Sequence, residues 1–180
     1  MTMQIDTTRT ATRWELDPAQ SAVDFEARHG WGLLRARGRF SRFAGSYTVD
    51  GDDRAIELTI DAASVDTGNP KRDHHLRTAD YFAVDVHPQV RFTSTDITES
   101  APGVLHVAGR LEAAGTSVRL AFAASIRQVG DALEIEATTT VDHHLFGMAR
   151  SPLGILRPPI ALHVRAELHP TSDTTTEEQS

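Results

Sequence analysis

Along most of the chain the apolar positions recur at every second residue. From 21 to 29, Val23, Phe25, Ala27 and His29 fall on one side and Asp24, Glu26 and Arg28 on the other, the pattern of a strand with one buried face. In 34–40, Leu34, Ala36, Gly38 and Phe40 oppose three arginines. The two classes exchange sides at Arg42 and Phe43, which predicts a bulge near Ser41 before the strand resumes through Tyr47 and Val49. The alternation returns at 56–64 (Ile56, Leu58, Ile60, Ala62), from 90 onward (Val90, Phe92), at 104–112 (Leu105, Val107, Gly109, Leu111) and at 117–128 (Val118, Leu120, Phe122, Ala124, Ile126). It ends with 133–141 and 160–168. That makes eight strands, with a further short one at Trp14–Leu16, and Gly or Asp at most of the turns.

Clean alternation over so many strands suits an antiparallel sheet with one wet face, and eight strands can close into a barrel just wide enough for side chains or one ligand. Two stretches break the period. Asn69-Pro70 reads as an N-cap followed by proline in the first turn, opening a short helix over 70–79 within the long connection 65–89. The second, 144–159, is rich in Gly and Pro yet carries Leu145, Phe146, Met148, Leu153, Ile155 and Leu156, which something must cover. Residues 1–12 and 170–180 are rich in Ser and Thr without hydrophobic periodicity and are expected to be mobile tails around one domain, 13–169.

The expected inner faces include Ala27, Ala36, Gly38, Ala62, Gly109, Ala124, Ala137 and Ala166. A solid core packs densely, so these small residues either leave an apolar cavity or let the barrel taper and bend. The apolar loop 144–159 favours the cavity, with the loop as a flap at its mouth.

The chain has 180 residues and a net charge of −7, which divides as 0 for 1–12, −4 for 13–169 and −3 for 170–180. An acidic surface is a poor match for nucleic acid or an anionic membrane. No cysteine is present, which excludes disulfides, thiolate metal sites and cysteine nucleophiles. The N-terminus lacks the apolar run of a secretory signal, and the longest such run, Leu120–Ala124, is far short of a membrane span. The expected location is therefore the cytoplasm, or the periplasm or exterior if a leader has been removed. The sequence leaves the oligomeric state open, a homodimer among the options.

Nine histidines invite a search for chemistry, and four of them form two doublets, each in an Asp-His-His tripeptide, at 73–75 and 142–144. Adjacent histidines diverge on a strand or a helix, so one doublet supplies one metal ligand at best. No HExxH, GxSxG, SxxK or Walker A motif is present. General acid–base work by Asp73 or Asp142 with a neighbouring histidine, or a His/Asp metal site, are the alternatives to plain binding. Parity puts His29 and His143 on inner faces, where each needs a partner from the protein or from a ligand head group. Nine histidines with ordinary pKa near 6.5 could also move the charge from −7 towards +2, so that acid would loosen a ligand.

Ser64-Val65, Thr67, Arg72-Asp73, His75-Leu76 and Asp80, followed by Pro88, Phe92 and Ser94, resemble the central signature of the YceI-like family. The opening Trp14-Glu15-Leu16-Asp17-Pro18, Ser21, Phe25 and Arg28-His29 agrees with it. So do Gly38, Phe40, Phe43, Gly45, then Val107, Gly109, Leu111, Gly115-Thr116, and finally Asp142 with Phe146-Gly147-Met148. The likeness spans about 14–168. It departs at Asp142-His143, where the family often has Asp-Arg, and many relatives are exported. The resemblance implies a lipocalin-like eight-stranded antiparallel barrel that holds polyisoprenoids or other long amphiphiles.

The expectation is therefore a binding protein without enzymatic activity, cofactor or metal, its ligand an isoprenoid, isoprenoid quinone or similar amphiphile to be sequestered or transported. The tail would lie against Val23, Phe25, Leu58, Leu105, Val118, Leu120, Phe122, Leu133 and Ile135. Phe146, Met148, Ile155 and Leu156 would cover the mouth, and His29, Arg72, His75 or His143 would meet the polar head.

Overall fold

The computed structural model describes residues 11–29, 34–148 and 157–171. The greater part of both expected tails, and 149–156 of the expected flap, lie outside these residues. The elements in chain order are β1 (Thr12–Leu16), β2 (Ala22–His29), β3 (Leu34–Phe40), β4 (Phe43–Asp50), β5 (Asp53–Asp61) and β6 (Val65–Asp66). They continue with α1 (Pro70–Arg77), β7 (Gln89–Ala101), β8 (Val104–Ala113), β9 (Thr116–Val129), β10 (Ala132–Val141) and β11 (Arg157–Pro170). Every pairing is antiparallel, and β11 bonds to β1 as well as to β2 and β10, which closes the sheet.

Eleven segments make eight strand courses, because three courses are interrupted. Both β1 and β2 pair with β11, at Leu16↔Leu168 and Ala22↔Arg165, and so follow one another along the same neighbour. Likewise β3 and β4 pair with β2 and β1 in turn, and β6 and β5 with β3 and β4. The short strand at Trp14–Leu16 is therefore the start of the first course rather than a ninth strand.

The bulge expected near Ser41 is instead a break in the strand. At this corner Ser41 N–H donates to the Ser64 carbonyl (3.3 Å), Arg42 N–H to Ser64 Oγ (3.1 Å) and Asp61 N–H to the Arg42 carbonyl (2.9 Å). Backbone groups freed from the ladder are thus satisfied across the corner, and the barrel turns without an exposed gap. For the same reason the strand expected over 56–64 stops at Asp61, and a 3-10 turn, Ala62–Ser64, precedes β6.

Within the strands the period of two holds. On β8, Leu105, Val107, Gly109, Leu111 and Ala113 are buried, while His106, Arg110 and Glu112 between them are exposed. Outward arginines are met by carboxylates: Glu26 lies 3.3 Å from Arg35 and 3.0 Å from Arg37, Arg39 pairs with Asp66 at 3.2 Å and Arg42 with Asp61 at 2.8 Å. Such exposed pairs contribute about 0–1 kcal/mol each, so the fold rests on its inner face.

The two ends of the barrel differ. At one end β4–β5, β7–β8 and β9–β10 are joined by two-residue turns, each with a glycine at positive φ, Gly51, Gly103 and Gly130. At the other end lie the connection 67–88 with α1 and the segment after β10, which opens with a 3-10 turn, His143–Phe146. Leu105 and Leu133, next to the tight turns, fill the first end. The long connections sit over the second.

Candidate ligand-binding site

The interior holds a cavity of about 220 Å3. Its wall runs from Leu16 and Leu168 near the tight turns to Tyr81, Phe82 and His143 at the other end, and presents only apolar surface. Five of the eight small inner residues, Ala27, Ala36, Ala124, Ala137 and Ala166, line it. The other three are used in packing. A Cβ on Gly38 would stand 2.3 Å from the Phe25 ring, and one on Gly109 would stand 2.5 Å from the Thr93 carbonyl and 2.6 Å from the Phe92 ring. Ala62 is fully buried in its 3-10 turn. Small residues here therefore do both jobs, leaving space along the barrel axis and seating aromatic rings on the wall.

The long connection covers one end because its helix is tied down. Asn69 Oδ1 accepts from Lys71 N–H (3.1 Å) and Arg72 N–H (3.3 Å), and proline occupies the first turn, the arrangement expected of an N-cap. Asp73, buried, accepts from the Thr67 backbone N–H at 2.9 Å and from the Thr67 hydroxyl. Arg72 donates to Thr67 Oγ1 and to the Thr67 carbonyl, both at 2.8 Å. Arg77 reaches the carbonyls of Ala63 (2.8 Å) and Val65 (2.9 Å). So anchored, the connection turns Arg72, Leu76, Tyr81 and Phe82 to the cavity, with Phe82 edge-on to Phe40 at 5.8 Å. The helix ends at Arg77, with Thr78 as its C-cap, rather than at Ala79.

The second cover is the 3-10 turn after β10. Asp142 caps it by accepting from His144 N–H at 2.9 Å. His143 is only 3% exposed and lines the cavity, and neither of its ring nitrogens has a hydrogen-bond partner among the described residues. Burial, with a smaller contribution from His144, holds its pKa below the usual histidine value, against the opposing pull of Asp142. The ring is thus neutral near pH 7. The His144 ring, 4.1 Å away between centroids, is half-buried and pairs with Asp142 at 3.2 Å. Phe146 and Met148 are buried beside them and line the same space.

Of the residues named from sequence, Val23, Phe25, Leu58, Arg72, Leu120, Phe122, Ile135, His143, Phe146 and Met148 line the cavity. Leu105 and Leu133 do not: both are buried at the tight-turn end, since strand parity gives the face of a residue but not its depth. Val118 packs half-buried against the core outside the lining. His75 is exposed on α1, its side chain 60% accessible, with Asp80 at 3.8 Å and its ring edge-on to Tyr81. Asp73 and Leu76, three residues apart, are the buried positions of the helix, and His75 lies off that stripe. The side chain of His29, and Ile155 and Leu156, lie outside the described residues.

Sequence reading missed Leu16, Ile60, Tyr81, Phe82, Leu162 and Val164 as lining residues. Leu162 and Val164 carried the right parity and could have been chosen. Tyr81 and Phe82 lie in a connection without period and had no such signal. Among the described residues no three His, Asp or Glu side chains come together as a metal site.

Phe25 and Thr67 also line a second, outer depression with Arg37, Gly38, Arg39, Asp66 and His163. Only Arg39 and Phe40 of β3 pair with β6, so the wall there rests on side chains rather than on a full ladder.

The YceI-like domain matches residues 14–168. A UPF0312 protein of Photorhabdus laumondii is 39% identical over 93 residues, covering 48% of this chain and 47% of that one. Protein YceI of Escherichia coli is 34% identical over 113 residues, covering 61% and 58%. The chain spans about half the length of the first of these curated relatives. In structure it is similar to Burkholderia cenocepacia BcnA, with a TM-score of 0.77 at 19% identity over 84% of this chain and 98% of that one. It is also similar to a polyisoprenoid binding domain from Saccharophagus degradans implicated in plant cell wall breakdown, with a TM-score of 0.74 at 14% identity over 88% and 98%. These likenesses show the fold, and the match over 14–168, through all eight courses of a closed antiparallel barrel, shows that the chain belongs to the YceI-like domain family.

Proposed function

We propose that this chain binds an apolar or amphiphilic chain molecule, a polyisoprenoid, an isoprenoid quinone or a similar lipid, inside the barrel, for sequestration or transport rather than for catalysis. The observation that carries the reading is the cavity of about 220 Å3 with a wholly apolar wall. Protein interiors pack densely and hold few voids larger than a water molecule. The polyisoprenoid binding domain with the same fold supports the choice of ligand class.

An apolar cavity of 150 Å3 accepts benzene, six carbons; in proportion this one takes about nine. At about 0.8 kcal/mol per buried methylene, nine carbons supply roughly 7 kcal/mol, enough for affinity no better than micromolar. A longer chain therefore has to run beyond the cavity. Asp73 and Asp142 both spend carboxylate oxygens on backbone N–H groups, which fits bracing better than proton transfer.

Native mass spectrometry of gently purified protein offered polyprenols, isoprenoid quinones and fatty amides tests this. A retained lipid at one per chain is the expected result. An unliganded mass with all three classes would overturn the reading.

A further inference from the structure

The barrel wall changes charge along its length in a way the ligand cavity does not explain. We propose that the rim formed by β2, β3 and β11 at the long-connection end docks on the surface of an anionic phospholipid bilayer. Strand register places residues in rows across these strands. His163, Asp24 and Arg39 form one row, which Asp66 on β6 continues. Ala161, Glu26 and Arg37 form the next. In the last row, at the rim, Arg157 stands opposite Arg28, and Arg28 opposite Arg35. With histidine neutral the three rows carry −1, 0 and +3.

Like charges directly opposite one another on a sheet repel, and other arginines of the barrel stand opposite carboxylates, as in Arg127↔Glu134, Arg165↔Glu136 and Arg91↔Glu112. Arg110 and Arg119 also oppose each other, but among the described residues only the rim sets three arginines in a row. Glu26 is shared by Arg35 at 3.3 Å and Arg37 at 3.0 Å, and those two side chains remain 57% and 76% exposed. The rim thus keeps surplus positive charge in a chain of net −7. The total charge disfavours an anionic membrane for the surface as a whole, but not for this end of it.

The other charges agree with that orientation. β11 carries the chain from Arg157 at the rim to Pro170 at the tight turns, roughly 40 Å away at about 3.3 Å per residue. The acidic stretch 172–180, net −3, continues from there, and salt screens its repulsion beyond about 10 Å. The connection 67–88, at the rim's end, is neutral in sum, with Lys71, Arg72 and Arg77 against Asp73, Asp80 and Asp85. It presents Val86, 72% exposed, and the 3-10 turn after β10 presents Leu145, 58% exposed, apolar tips suited to a membrane contact. The inference takes only its purpose from the proposed ligand: a long apolar chain resides in bilayers, and docking brings the barrel to that supply.

The test floats full-length protein with vesicles of POPC alone or of POPC with one quarter POPG, free of polyprenol and quinone, at about 50 mM and about 500 mM NaCl. Binding should be at least about tenfold tighter on the POPG vesicles at the lower salt than in any other arm. Each arginine near an anionic surface is worth about fivefold. Arg35→Gln with Arg157→Gln should therefore weaken binding about 25-fold. Arg13→Gln with Arg127→Gln, the same charge change at the tight-turn end, should stay within about twofold. Phenylglyoxal labelling of wild-type protein, read by mass spectrometry, should fall at Arg35 and Arg37 on POPG vesicles and stay unchanged at the exposed Arg13 and Arg127. That footprint stands even if the rim variant fails to fold. Equal binding to the two vesicle types, equal losses from the two variant pairs, protection at Arg13 and Arg127 instead, or tighter binding of polyglutamate or duplex DNA than of POPG vesicles would overturn the inference. Each of these outcomes leaves lipid retention inside the barrel standing, and an unliganded mass leaves the docking surface standing.

Discussion

Replacing His143 with leucine should stabilise the ligand-free protein and remove part of its acid sensitivity. The ring is 3% exposed and makes no hydrogen bond to any described residue. An unsatisfied buried polar group costs about 1–3 kcal/mol, which an apolar side chain of similar size does not incur, so His143→Leu should gain about 1–3 kcal/mol at pH 7.5. For a domain of this size each kcal/mol raises Tm by roughly 2–4 °C.

The pH dependence has a definite sign. Burial lowers the folded pKa of His143, so above the unfolded value of about 6.5 the ring is neutral in both states and adds no slope. As pH falls below that value the unfolded chain takes up a proton that the folded one resists. Stability therefore drops with acid, by at most about 1.4 kcal/mol per pH unit for one proton, until the depressed folded pKa is passed. Urea unfolding of delipidated wild type and His143→Leu at pH 7.5 and 5.0 gives the double difference, in which the shared contribution of the other groups cancels. The variant should be the more stable at both values, with the larger margin at pH 5.0. A variant less stable by 1 kcal/mol or more at pH 7.5, or a margin that does not grow with acid, would refute the argument.

Filling the cavity should separate binding from stability. Ala137→Phe adds a buried ring, worth about 1.5–3 kcal/mol, against an overpacking cost of about 1–3 kcal/mol, so urea midpoints should change little while geraniol titration shows at least tenfold weaker binding. Gly38→Ala drives a methyl into the Phe25 ring and should cost about 1–3 kcal/mol. Gly109→Ala meets the Thr93 carbonyl as well, which cannot swing aside, and should cost more, as thermal melts of the pair will show. Asp73→Ala leaves the Thr67 N–H without its acceptor and should lose about 1–3 kcal/mol, with faster hydrogen exchange over 67–78 and unchanged protection on β8 and β9.

The barrel was legible because its inner face must be apolar at every second residue, and on β8 and β9 nothing interrupts that rule. It was less legible where the courses kink. At Ser41–Arg42 the backbone is satisfied by Ser64 and Asp61 from the neighbouring course, and at Ala62 the N–H donates to the Pro88 carbonyl, a long-range arrangement that a local pattern shows only as a slipped register. In the site, parity identified Phe122, Ile135 and His143 as inward-facing but could not say that Leu105 and Leu133 sit beyond the end of the cavity. The His75 placement failed for a similar reason. The doublet His74-His75 marks a polar helix face, and only the packing of Asp73 and Leu76 decides which way the helix turns. Gly38 and Gly109 looked like space and are seats for Phe25 and Phe92, because a cross-strand aromatic ring can lie over a residue without a side chain.

The central claim is that a lipid chain lies inside the barrel, against the inward alanines. Intermolecular NOEs between bound geranylgeraniol and selectively labelled alanine methyls test it directly. The account predicts cross-peaks to Ala36, Ala124, Ala137 and Ala166, which line the cavity, and none to Ala121 and Ala123, which face outward on β9. Cross-peaks confined to Ala121, Ala123 or other exposed methyls, with the inner alanines silent at saturation, would contradict it.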